Sequence, residues 1–184
     1  MVDAKRNRLD EVYRVTAEAR DNTCSMGVAV AAGSISETGE PTFELGDDEI
    51  EIGMGLHGEP GVSREKMLPA DALVEKMMAR LLADLPFRSG DEVCLLVNDL
   101  GATTWMELLL VNRRAQQLLA ESGISVHDTV IGSFCTCQEM AGFSIMLMRL
   151  DDELRRYYDV PCRSLGFTKV GNRSICPRGA KPNA

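Results

Sequence analysis

An alternation that runs straight into a glycine-rich turn constrains this chain more than any other feature. Between Glu49 and Leu56, the residues Ile50, Ile52, Met54 and Leu56 alternate with Glu49, Glu51, Gly53 and Gly55. Strand side chains point to opposite faces in turn, so this run predicts a β-strand with its aliphatic set against a core. Gly53 and Gly55 leave the other face bare at the C-terminal end, and the next residue on that face is His57. The segment Gly55-Leu56-His57-Gly58-Glu59-Pro60-Gly61 then predicts a tight turn at the strand end, open to close approach by a backbone or a small ligand.

Around this strand the pattern alternates between helix and sheet. Leu9, Val12, Tyr13 and Thr16 sit at helical spacing within Asn7 to Ala19, and Met26 to Ala32 reads as a strand of small residues. A further strand is expected at Pro41 to Leu45. Leu73, Val74, Met77, Met78, Leu81, Leu82 and Leu85 form an apolar stripe on a helix over Pro69 to Leu85, followed by a buried strand at Val93 to Val97. Thr104 and Glu107 fit a capping box at the head of a long helix that Gly123 ends. Strands at Val126 to Phe134 and Phe143 to Leu150, then a short helix from Asp151 to Tyr158, complete the pattern. Six strands and three or four helices in this order imply an α/β fold, a two-layer sandwich with a mixed sheet of about six strands.

With 184 residues, the chain is long enough to bury about 70% of its unfolded surface as one domain, expected over residues 1–171. The polar stretch 172–184, with Pro177, Gly179 and Pro182, has little to bury and reads as a flexible tail. Twenty Lys and Arg against 28 Asp and Glu give a net charge of -8, the wrong sign for a nucleic-acid surface. No apolar run approaches the roughly 18 to 20 residues of a membrane span, and the start, MVDAKRNRLDE, lacks a signal-peptide core. A cytoplasmic protein is expected.

Several groups could carry chemistry. Cys135 and Cys137 form a C-x-C in a strand-like run, where the two thiols would share a face as a redox or metal pair or as ordinary core. The loop Asn98 to Thr103 runs from strand to helix N-terminus, which suits an anion or simple capping, and it lacks any nucleotide fingerprint. Asp47, Asp48, Glu49 and Glu51 read as a solvated surface, since their spacing does not match an EF-hand loop. His127 reads as a surface residue. For His57 two readings stand: a hydrogen-bonded histidine in a turn, or a neutral imidazole acting as base, ligand or nucleophile, since its ordinary pKa near 6.5 leaves it mostly deprotonated at neutral pH.

Three blocks in order, GEPTFELGDDEIEIGMGLHGEPG (Gly39 to Gly61), LVNDLGATTWMEL (Leu96 to Leu108) and GSFCTCQEMAGFSIMLMRLDDEL (Gly132 to Leu154), resemble the dihydroxyacetone kinase K subunit. The resemblance covers Asp21 to about Val170. It implies that His57 binds a ketose covalently as a hemiaminal, with Gly55 and Gly58 beside the substrate. It also implies no nucleotide or metal on this chain, ATP or ADP with Mg2+ being carried by an L-type partner subunit. Such K subunits are about twice as long and carry a first domain with a G-G-G-S-G-H-E-P loop and an aspartate, neither of which is present here. The chain is therefore expected to be the second K domain, inactive alone and dependent on a first-domain chain and an L-type subunit, with homo-oligomer formation open. Dihydroxyacetone or another short ketose such as erythrulose is the expected ligand, and a non-catalytic regulator or scaffold is the alternative.

Overall fold

A computed structural model describes residues 8–55 and 59–170. In chain order the elements are α1 (Leu9–Asp21), β1 (Thr23–Ala29), β2 (Glu49–Ile52), β3 (Ser63–Lys66), α2 (Ala70–Asp84), β4 (Glu92–Asp99), α3 (Trp105–Glu121), β5 (Ser125–Gly132), β6 (Gly142–Leu150), α4 (Asp152–Tyr158), β7 (Cys162–Arg163) and β8 (Thr168–Lys169). The chain divides into two compact units, Glu18–Leu150 and a smaller one formed by Met1–Ala17 with Asp151–Ala184.

The larger unit is built on a six-stranded sheet in the order β3-β2-β1-β6-β4-β5. Only β4 and β5 are parallel, joined through α3, and every other pair is antiparallel. The α2 stripe expected from the sequence is buried at Leu73, Val74, Met77, Met78 and Leu81. Together with Leu108, Val111, Ala115 and Leu119 of α3 it packs on Val28, Ile50, Ile52, Leu95, Val97, Ile145 and Leu147 of the sheet. Each such side chain contributes about 1.5 to 3 kcal/mol on burial, so this helix-covered face is the main source of stability. The α/β architecture with a mixed six-stranded sheet matches the sequence expectation.

One of the six strands differs from the expected set. Within Pro41 to Leu45 only Pro41 makes a bridge, to Ser34, and no strand forms there. The sixth strand is β3, Ser63–Lys66, whose polar sequence gives no apolar alternation and which exists because it pairs with β2. β2 itself stops at Ile52, because Gly53 takes φ +82° and turns the chain before the alternation ends. Cys135 and Cys137 lie past the end of β5, in a loop and not in a strand. His127, expected on the surface, is half-buried on β5 with Nδ1 3.7 Å from Glu92 Oε2. Cys24 is buried beneath α2, and burial pushes its thiol up to about 11.

In the smaller unit, Asp151 caps α4 by accepting the Leu154 N–H at 2.7 Å. Two bonds of 2.8 Å from Arg14 to Glu153 and one of 2.6 Å from the Tyr157 hydroxyl to Glu11 join the start of α1 to α4. The Lys169 ammonium lies over the Tyr158 ring. Among the described residues no helix is long and apolar enough to cross a membrane. The polar stretch 172–184 lies outside the described residues.

Candidate functional site

β2 and β3 are the two arms of a hairpin. Their register pairs Glu49 with Lys66, Ile50 with Glu65, Glu51 with Arg64 and Ile52 with Ser63, so the segment between Ile52 and Ser63 is its loop. The Gly53 N–H donates to the Gly27 carbonyl of β1 at 2.7 Å, which ties the entry leg to the sheet. The Gly55 N–H donates to the Glu59 carbonyl at 3.2 Å and draws the two legs together on either side of 56–58. The Val62 N–H closes the loop on the Ile52 carbonyl at 2.8 Å. Two of the three sequence candidates, His57 and Gly58, lie outside the described residues. The third, Gly55, is half-buried.

The glycine face is not bare, contrary to the alternation's implication. A Cβ on Gly53 would lie 2.9 Å from Val62 Cγ2, and one on Gly55 would lie 2.1 Å from a Glu59 carboxylate oxygen. The loop's own returning leg fills the space, and small residues on the entry leg are what let it return.

Glu51 is the residue that sequence reasoning missed. Ile50 and Ile52 turn toward the helices, so Glu51 points to the opposite face, where solvent was expected, yet it is only 7% exposed. Its Oε1 accepts the Gly61 N–H at 2.6 Å and its Oε2 accepts Arg64 Nη2 at 2.9 Å. The Gly61 N–H, and after it the Arg64 guanidinium, hold this carboxyl below the usual glutamate range against the opposing effect of burial. A usable signal was present: a hairpin centred between residues 57 and 58 sets Glu49 against Lys66 and Glu51 against Arg64, two opposite-charge pairs across the strands.

A second wall comes from the end of β4 and the loop that follows β5. Asp99, 6% exposed, accepts the Gly101 and Thr103 N–H groups at 2.8 and 2.9 Å on Oδ1, and the Ser133 hydroxyl at 2.8 Å on Oδ2. The Leu100 and Ala102 N–H groups go to the Gly142 and Met140 carbonyls. The donors an anion would need are thus taken by the protein, and the capping reading of this loop prevails, with the Thr104 and Glu107 capping box formed as expected. Asn98 Oδ1 accepts from the Phe134 and Cys135 N–H groups at 2.8 and 3.0 Å. Ala29, Met54, Leu100 and Met140 form a small second core, with Phe43 and Cys137 against it. Burial raises the Cys137 thiol, and the charges of Cys135 and Glu59 raise it further.

Among the described residues no group of three or more His, Cys, Asp or Glu side chains is arranged to hold a metal ion. A cleft of about 210 Å³ opens elsewhere, on the helix-covered face between Val30, Leu73, Thr103, Leu110 and Phe143, and the described residues of the hairpin loop do not line it.

Comparison with known proteins gives consistent results. The family profile described as "Dak1 domain" matches residues 2–166. The chain is 40% identical over 159 residues to the dihydroxyacetone-binding subunit DhaK of PTS-dependent dihydroxyacetone kinase 2 from Listeria innocua, covering 86% of this chain and 48% of that protein. It is 34% identical to the L-erythrulose kinase of Pectobacterium atrosepticum, covering 88% of this chain and 28% of that protein. A solved structure of the dihydroxyacetone kinase operon co-activator Dha-DhaQ superposes with a TM-score of 0.78 at 29% identity, covering 84% of this chain and 48% of that one. The chain thus spans about half the length of the DhaK relative and less of the larger kinase.

Proposed function

The chain belongs to the Dak1 domain family, and from that membership we propose that it is the ketose-binding second domain of a dihydroxyacetone kinase K-type subunit. The observation that carries the reading is the G-L-H-G-E-P-G loop, Gly55 to Gly61, set between two strands whose ends the described structure fixes.

His57 captures the ketone. An imidazole nitrogen lone pair adds to the carbonyl carbon, the C=O π pair moves to oxygen, and the proton released from the other ring nitrogen ends on that oxygen, giving a neutral hemiaminal. The bond selects ketones over polyols, which have no carbonyl to attack. It also fixes the terminal hydroxyl for phosphoryl transfer, so that much of the barrier is met by orientation. Gly58 brings no side chain next to His57, while Gly55 leaves room for the Glu59 carboxylate on the returning leg. The remaining acid–base groups belong to a first-half domain, and the phosphoryl donor, a nucleotide with Mg2+ or its phosphotransferase-linked equivalent, belongs to an L-type subunit.

The test uses [2-13C]dihydroxyacetone with this chain and a first-domain partner. Conversion of the ketone carbon signal into a tetrahedral carbon signal, abolished in His57→Ala, is the expected result. Full adduct formation in His57→Ala would sink the assignment. [2-13C]erythrulose in the same experiment decides the preferred ketose. The operon co-activator's structural similarity favours one second reading, a ketose-sensing regulator. Adduct formation without phosphorylation, even with an L-type subunit and ATP present, would select it.

A further inference from the structure

Glu51 is a charged side chain almost fully withdrawn from water on a strand whose neighbours, Ile50 and Ile52, are wholly buried. Such a group costs several kcal/mol unless its oxygens are satisfied, and a hairpin of this length would be simpler with an apolar residue there. Both oxygens are satisfied by the leg that leaves the loop: Gly61 donates to one and Arg64 to the other. The last glycine of the motif is present for this contact. A Cβ on residue 61 would lie 2.5 Å from the Ile52 carbonyl oxygen and 2.8 Å from Glu51 Cγ, so no residue with a side chain brings its N–H this close to the carboxylate.

The entry leg is held differently. Gly53 binds the Gly27 carbonyl of β1, backbone to backbone, and that bond survives any side-chain change. The exit leg has the Val62 bond to Ile52 and, at the next residue toward the tip, the bond from Gly61 to the Glu51 carboxylate. Between Gly61 and the tip lie Pro60 and Glu59, of which Pro60 has no N–H to give and Glu59 contributes its carbonyl to Gly55. Glu51 is thus the side chain that anchors the exit leg at Gly61, between the backbone bonds made at Val62 and at Glu59.

We propose that Glu51 is a positioning residue for ketose capture: its carboxylate, gripping Gly61 and Arg64 together, sets where the exit leg of the Gly53–Gly61 loop stands and so where the residues at the loop tip are presented. The inference rests on the ketose-binding reading above. It differs from a purely structural role, because a structural carboxylate would change stability without changing ligand affinity in molecules that remain folded.

Two readouts on Glu51→Gln separate these cases. Gln keeps the size and one acceptor but loses the charge. Circular dichroism should report an unchanged fold. The apparent affinity for [2-13C]dihydroxyacetone, with the first-domain partner present, should fall about tenfold, and amide exchange at Gly61 should accelerate. Glu51→Asp, which keeps the charge on a shorter stem, should recover part of the affinity. Unchanged affinity in folded Glu51→Gln overturns the proposal. Should the wild-type chain itself form no adduct, the ketose reading fails, and Gly61 exchange alone judges the clamp: faster exchange in Glu51→Gln sustains it, and unchanged exchange overturns it.

Discussion

Two strands of the sheet carry a buried carboxylate, and the two are used in different ways. At the end of β4, Asp99 accepts from residues two and four places ahead of it and from Ser133, so it closes a short local loop onto a helix start. Within β2, Glu51 accepts from a residue ten places ahead and from the opposite strand, so it determines the geometry of a long loop. The first is capping chemistry that any strand-to-helix connection can use. The second ties a strand to the far leg of the segment that carries His57. Burial alone therefore does not mark a functional carboxylate. What each one holds separates these two: Asp99 its own strand-to-helix turn and the Ser133 hydroxyl, Glu51 the far leg of the loop that follows its own strand.

The comparison is broken most severely at Asp99. Asp99→Ala leaves two backbone N–H groups and a hydroxyl without their acceptor and should lower unfolding free energy by about 3 kcal/mol, read by urea denaturation. Ketose affinity in the fraction that stays folded should be nearly unchanged, and a selective loss of affinity would erase the distinction drawn between the two carboxylates. Gly61→Ala comes next. Its Cβ would collide with the Ile52 carbonyl, so stability should fall by about 2 kcal/mol. Here affinity should fall as well, since the exit leg must shift. An affinity equal to wild type would show that the leg's position is immaterial.

The smallest effect lies in acid. The Glu51 carboxyl is held below its ordinary range in the folded state, so its contribution is fully present above the unfolded glutamate value and is lost as pH falls through the lower folded value. The charged groups around it are Arg64, and through Arg64 the carboxylates Glu49 and Glu44. The stability gap between wild type and Glu51→Gln should thus be constant near neutrality and close on acidification. A gap that persists to the lowest pH would mean that shape, and not charge, holds Gly61.

Local chemistry made much of this legible in advance. The Thr104 and Glu107 capping box and the α2 stripe rest on residues within one or two turns of each other, and both form as read. Legibility fails where the deciding partner is distant in sequence. Ser63–Lys66 is polar and becomes a strand only because β2 lies beside it. Met54 continues the alternation on paper, but the positive φ at Gly53 sends it to the second core with Leu100 and Met140. Glu51 looks like one more acid in a solvated run until Gly61 folds back over it. At the site itself, the motif named the loop and not its support, because a glycine's reason for being there lies in the atoms it lets approach.

The sheet order has a consequence for how the chain is assembled. β6 lies between β1 and β4 and is made after both, pairing Met148 with Thr23 on one side and with Cys94 on the other. As the chain is synthesised, the β1–β2–β3 group and the β4–α3–β5 group must each wait with an unpaired edge until β6, Gly142–Leu150, is made and joins them. Long loop closures of this kind are slow, and waiting edges are the surfaces through which chains mispair. The exposure of these edges therefore ends only when the last strand of the six-stranded sheet is delivered.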